Sequence, residues 1–232
     1  MKSDISASLP LSGLRFSKFR LKDPASCLTH FIAMILCQLA AVPLLLLAGR
    51  HPEPVYGISV TAFILSMVML YAASASYHGF DISERVNRVL RKMDHMMIFV
   101  MIAGSYTPVC LLVLDQHIGY ILLALVWGVA IIGMLIKMFW ITCPKWFSSL
   151  IYIGMGWLCL IALPQIFHGM TAMQFAWLFT GGVIYTIGGV IYALKLPIFN
   201  AKHQAFGSHE IFHLFVMGGS FCHFMLVYLL VL

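Results

Sequence analysis

Two histidines stand four residues apart at the head of the last apolar segment, in the run His209-Glu210-Ile211-Phe212-His213. On a helix, positions i and i+4 share a face about 6 Å apart, a spacing that lets two imidazoles reach one metal ion. A third histidine, His78, closes an earlier apolar segment at Ser74-Ala75-Ser76-Tyr77-His78, and Asp94-His95 opens the next one. Three imidazoles with an open fourth position make the tetrahedral arrangement of a catalytic zinc. His78, His209 and His213 are therefore the candidate metal ligands. Ser74, one helical turn before His78, would hydrogen-bond a water or orient a ligand. Asp94 would accept a hydrogen bond from that water or from an imidazole. A water held by such a metal can have a pKa near 7, which supplies hydroxide at neutral pH.

Residues 209–213 also match the metalloprotease pattern His-Glu-x-x-His, in which the glutamate is the general base. That pattern normally takes a third ligand later in the chain. Only one helix remains after His213, and its histidine, His223, lies ten residues further on. At 1.5 Å per residue, it is about 15 Å too deep to share the ion. Glu210 is kept as a reserve base beside Asp94 and Ser74, although a glutamate at a helix start also suits the helix dipole. A lone histidine near a helix end is usually a packed or interfacial side chain, which covers His30, His51, His117, His168 and His203. His30 and His95 are expected to pack around the site rather than to ligate.

These residues need a scaffold, and composition limits the choice. The chain has 232 residues, 62% hydrophobic and 9% charged, against about 25% charged for a soluble domain. It cannot cover itself with polar surface, so an all-α bundle of membrane-spanning helices is expected. Seven segments have the roughly 20 apolar residues that a span needs: 28–48, 57–78, 94–114, 119–139, 147–166, 172–194 and 208–231. No Asp, Glu, Lys or Arg occurs from Trp146 to Leu194. One helix of that length would be about 73 Å long, so Pro164, His168 and Gly169 mark a turn between two spans. Residues 1–26 form a short basic segment, and 27–232 a single transmembrane domain.

The basic residues set the orientation. The N-terminal segment carries five, the second connection four, and the fourth and sixth connections two each. Thirteen of the fourteen thus fall on one side, leaving Arg50 on the other. The positive-inside rule places the N-terminus in the cytoplasm and the C-terminus outside. His78, Asp94, His209 and His213 then share the cytoplasmic end. The net charge of +6 reflects topology, not a nucleic-acid surface. Leu14 to Leu21 alternates basic and apolar residues and can lie on the anionic inner leaflet. The six cysteines lie in or beside apolar runs without a CxxC pair and read as packing residues. Gly181-Gly182 and Gly188-Gly189 recur seven apart, where small residues admit a neighbouring helix.

The chain resembles the hemolysin III group of the progestin and adipoQ receptor family. The resemblance is carried by Asp23-Pro24, Leu28-Thr29-His30-Phe31, Ser74-x-x-x-His78, Arg91-Lys92-Met93-Asp94-His95, Gly104-Ser105-Tyr106-Thr107-Pro108 and His209-Glu210-Ile211-Phe212-His213-Leu214-Phe215. It implies seven helices with a cytoplasmic N-terminus and zinc held by the three histidines. It also implies that Ser74 and Asp94 act around a water at that zinc. Imidazole suits copper, iron and nickel as well, so the choice of zinc leans on this resemblance. Receptors of the family resemble zinc-dependent ceramide amidases, which implies a zinc-dependent hydrolase of a membrane-lipid amide or ester. Two other readings stay open: a non-catalytic protein whose zinc staples the helices of a membrane sensor, and a membrane-lytic haemolysin. The short N-terminal segment suggests a bacterial plasma-membrane protein.

Overall fold

A computed structural model describes residues 21–194 and 207–232. The basic stretch before Leu21, the Lys195–Lys202 connection and His203 lie outside the described residues. Helices α1 (Pro24–Ala48), α2 (Pro54–Gly79), α3 (Glu84–Leu112) and α4 (Gln116–Phe139) come first. Then follow α5 (Lys145–Gly156), a 3₁₀ segment (Leu158–Ala162), α6 (Leu163–Gly169), α7 (Ala172–Leu194) and α8 (Ser208–Val231). With α5 to α6 taken as one span, seven helical segments among the described residues are long and apolar enough to cross a membrane. α2 and α3 are the most enclosed, while α1, α4, α5–α6 and α7 present their apolar faces outward. Leu28, Leu36, Leu39, Val42 and Leu46 make such a face on α1.

The centre of the bundle is the α2–α3 pair, flanked by α1 and α4, while α8 packs against α7 and α1. Gly104 lets α3 lie directly on α2, since a Cβ there would collide with Ser66. Phe63, Met67 and Tyr71 of α2 join Leu44, Val227 and Val231 in one core. Phe99, Val126, Met155, Ile166 and Leu226 fill a second core between α3, α4 and the fifth span. Between α4 and α5, the buried Lys137 donates to Ser148 Oγ at 2.5 Å and Cys143 Sγ at 3.1 Å.

Two elements differ from the reading of the sequence. α3 begins at Glu84, ten residues before the expected start of the third span. The Ser83 hydroxyl accepts the Val86 amide at 3.3 Å and caps the helix there. Hydropathy missed this turn because Arg85, Arg88, Arg91 and Lys92 make it polar. Asp94 consequently sits in the third turn of α3, not at its start. The fifth span was expected as one helix and is instead broken at its middle. Gly154 and Gly156 weaken the helix. Pro164 at the start of α6 cannot bond back into a preceding helical turn. The freed backbone groups are met by one side chain. Tyr106 Oη reaches the Gly156 and Met155 carbonyls at 2.6 and 3.1 Å and accepts the Cys159 amide at 2.9 Å.

That repair is testable. Tyr106→Phe strands buried backbone groups, each costing about 1–3 kcal/mol. Thermal unfolding in detergent should show a melting temperature several degrees below wild type. An unchanged melting curve would show that the break holds without the hydroxyl.

Candidate metal centre

Helical period sets His209 and His213 on one face, and tertiary packing brings His78 to them. His78 ends α2, and His209 and His213 open α8 one turn apart. The convergence of the two helix ends puts ligand atoms of all three within 4.8 Å of one another. His78 and His213 are buried and His209 is half-buried. The Nε2 atoms of His78 and His209 face each other across 3.1 Å. Two nitrogens bound tetrahedrally to zinc at about 2.0–2.1 Å would stand about 3.3 Å apart. The donor set therefore fits such an ion, with a fourth position left for water or substrate.

The surroundings orient the rings. His78 Nδ1 meets Asp23 Oδ2 at 2.9 Å, and an Nδ1–H donor there leaves the Nε2 lone pair free for a cation. The Asp23 amide also donates to the His78 carbonyl at 2.8 Å, so the residue before α1 is tied twice to the end of α2. His213 Nδ1 lies 3.5 Å from the Thr29 hydroxyl. On its flank, the His30 ring stacks at 3.7 Å and 6°. His30 thus packs on a candidate ligand from α1, as expected of it.

Asp94 and Ser74 are buried together beside the cluster, and the Ser74 hydroxyl reaches the Asp94 carboxylate. His95 Nδ1 donates to the Arg91 carbonyl at 2.9 Å and stands 3.4 Å from Asp94 Oδ2. Asp94 is within electrostatic reach of His78 and His209. Glu210 is engaged elsewhere. Its Oε2 accepts the Gly207 amide at 2.8 Å and its Oε1 the Ser26 hydroxyl at 2.8 Å. Both oxygens serve the start of α8 and its tie to α1. His223 lies deeper on α8, stacked on Tyr185 and outside the cluster.

Asp23 was not singled out from the sequence as a site residue. Its only signal was the Asp-Pro pair, which reads as the start of a helix. Its contact with His78, 55 residues away, belongs to the tertiary fold.

A long apolar cavity of about 240 Å³ leads away from this end. His30, Tyr192 and Phe212 line it near the histidines, and Ile166, Phe175 and Leu178 line its far part. Along α7 its wall runs from Phe175 to Tyr192, about 25 Å of helix. The break in the fifth span contributes Gly156, Trp157, Cys159 and Leu160.

Comparison with known proteins follows the same outline. The family model described as "Haemolysin-III related" matches residues 20–224. "Hemolysin-3" of Bacillus cereus is 33% identical over 218 residues, 94% of this chain and 95% of that protein. "Hemolysin-3 homolog" of Bacillus subtilis (strain 168) is 33% identical over 210 residues, covering 90% and 94%. The "Adiponectin receptor protein" of Drosophila melanogaster is more distant, at 25% over 180 residues, 70% of this chain and 40% of the receptor. No solved structure matches the chain. With seven apolar spans and these bacterial relatives, the chain is a multi-pass protein of the plasma membrane.

The metal centre makes a graded prediction. Wild-type protein should bind one transition-metal ion per chain, and His78→Ala should bind none. Asp23→Ala keeps all three ligands but loses the carboxylate on His78, so its affinity should fall about 10–100-fold. Competition with a chelator of known affinity measures this. Equal affinity for Asp23→Ala and wild type would remove Asp23 from the site.

Proposed function

This chain belongs to the haemolysin-III-related family, and from that premise we propose that it is a zinc-dependent hydrolase of an amide or ester in a membrane lipid. The single observation that carries this reading is the union of a three-imidazole cluster with an apolar cavity at one end of the bundle. A zinc ion held by His78, His209 and His213 would supply a Lewis acid and an activated water. The remaining work falls to the chain's own residues.

The cavity wall takes the hydrocarbon chain and excludes water from it. The scissile carbonyl then rests near His209 and Phe212, where α7 and α8 meet. Asp94 accepts the proton of the attacking water at its carboxylate and returns it to the leaving amine or alcohol. Ser74 holds that carboxylate in place through its hydroxyl. Asp23 fixes the His78 ring through Nδ1. Glu210 binds backbone and Ser26 and takes no proton in this scheme. The distribution of basic residues supports a site on the cytoplasmic side of the membrane.

Purified zinc-loaded protein should release fatty acid from long-chain lipid amides or esters. Asp94→Ala should lower turnover about 10²–10⁴-fold with metal still bound, whereas Glu210→Gln should keep turnover and lose thermal stability. Mass spectrometry of the released acid, read beside metal content, decides the matter. Turnover that survives Asp94→Ala, or that falls selectively with Glu210→Gln, would reverse these assignments.

A further inference from the structure

Three side chains on the cavity wall carry buried polar atoms without a hydrogen-bond partner among the described residues: His30, Ser149 and His223. His30 and Ser149 lie at the end near the metal centre. His30 stacks on His213, and Ser149 is one turn into α5, whose Lys145 packs over Tyr192 beside His209. His223 stands apart. It is ten residues beyond His213 on the same helix, about 15 Å further along the axis.

The ring of His223 is 8% exposed and firmly placed. It stacks on Tyr185 at 5.4 Å and 20°. Gly181 abuts it, since a Cβ there would lie 3.0 Å from its Cδ2. The nearby hydroxyls are already engaged with each other. Tyr71 donates to Ser220 at 2.7 Å, and Tyr185 and Ser220 share a bond of 2.9 Å. His223 Nδ1 has no partner. Such a group costs about 1–3 kcal/mol when left unsatisfied. An ionisable side chain inside a membrane span that faces a cavity marks a ligand path.

We propose that His223 is a second recognition point of the cavity, which hydrogen-bonds a hydroxyl borne midway along the hydrocarbon chain of a lipid whose head group lies at the histidine cluster. A hydroxyl both donates and accepts, so it can pair with one ring nitrogen in either tautomer. The apolar wall on either side selects hydrocarbon, and the polar point between the two stretches selects an oxygen at one depth. The position of the head group rests on the hydrolase reading; binding of the chain does not depend on turnover.

The test is displacement of a fluorescent fatty acid from the purified full chain in lipid nanodiscs. The competitors are stearate, 2-hydroxystearate and 12-hydroxystearate, the last carrying its oxygen near the depth of His223. Wild type should bind 12-hydroxystearate about fivefold more tightly than stearate, the worth of one net hydrogen bond, and 2-hydroxystearate should show no such gain. His223→Leu should bring 12-hydroxystearate and stearate to equal affinity, and His223→Gln should retain part of the difference. Equal binding of stearate and 12-hydroxystearate to wild type would overturn the proposal, as would a preference that survives His223→Leu. The wild-type series decides by itself should the leucine variant fail to fold. An intact preference in a protein that hydrolyses no lipid would remove the hydrolase and leave the subsite.

Discussion

Two imidazole nitrogens face each other across 3.1 Å inside a bundle whose buried residues are mostly apolar. They need either a shared proton or a shared cation, and a third ring within reach favours the cation. The arrangement of helix ends follows from this requirement. α2 must finish where α8 begins, so that His78 meets His209 and His213. The start of α1 must close over both, and it does so through Asp23 on His78, Ser26 on Glu210, and Thr29 and His30 on His213. α3 brings Asp94 up beside Ser74 of its closest partner, α2. Four helices thereby converge on one small volume at one end of the molecule.

The other half of the molecule is built to leave space. The fifth span gives up its helical hydrogen bonds at Gly156 and recovers them from the Tyr106 hydroxyl. Trp157 turns its indole N–H to Thr186 of α7 at 3.0 Å. α7 meets α8 through Gly181 and Gly188, which lie against Cys222, His223 and Phe215, while Gly182 and Gly189 line the cavity. Close approach on one side of α7 and an open wall on the other come from the same paired glycines. A cluster of three imidazoles joined to a hollow body suits chemistry on the head of a long molecule.

Much of this was legible in the sequence, for reasons that differ by residue. Ser74-x-x-x-His78 and His209-x-x-x-His213 announce themselves because helical period turns spacing directly into geometry. Seven spans emerge because hydropathy over about 20 residues is a strong signal. The paired glycines of α7 were read as packing positions, which Gly181 and Gly188 are. Glu210 could be read two ways, since the same spacing serves a protease base and a helix start; only the two contacts of its carboxylate distinguish them. The first turns of α3 were missed because they stand in polar surroundings, where hydropathy is silent. The ties from Asp23 and Ser26, each bridging 55 or more residues, were out of reach of any local pattern. So was the cavity, because a void is a property of how helices meet and leaves no mark on composition.

The central claim is a single ion held by three imidazoles from two helices. X-ray absorption at the zinc edge, on protein purified without added chelator, tests it most directly. Three histidine nitrogens plus one further light atom at about 2.0–2.1 Å is the expected shell, with loss of the imidazole signature in His213→Ala. A shell dominated by sulfur at about 2.3 Å, or protein that takes up no metal at all, would contradict it.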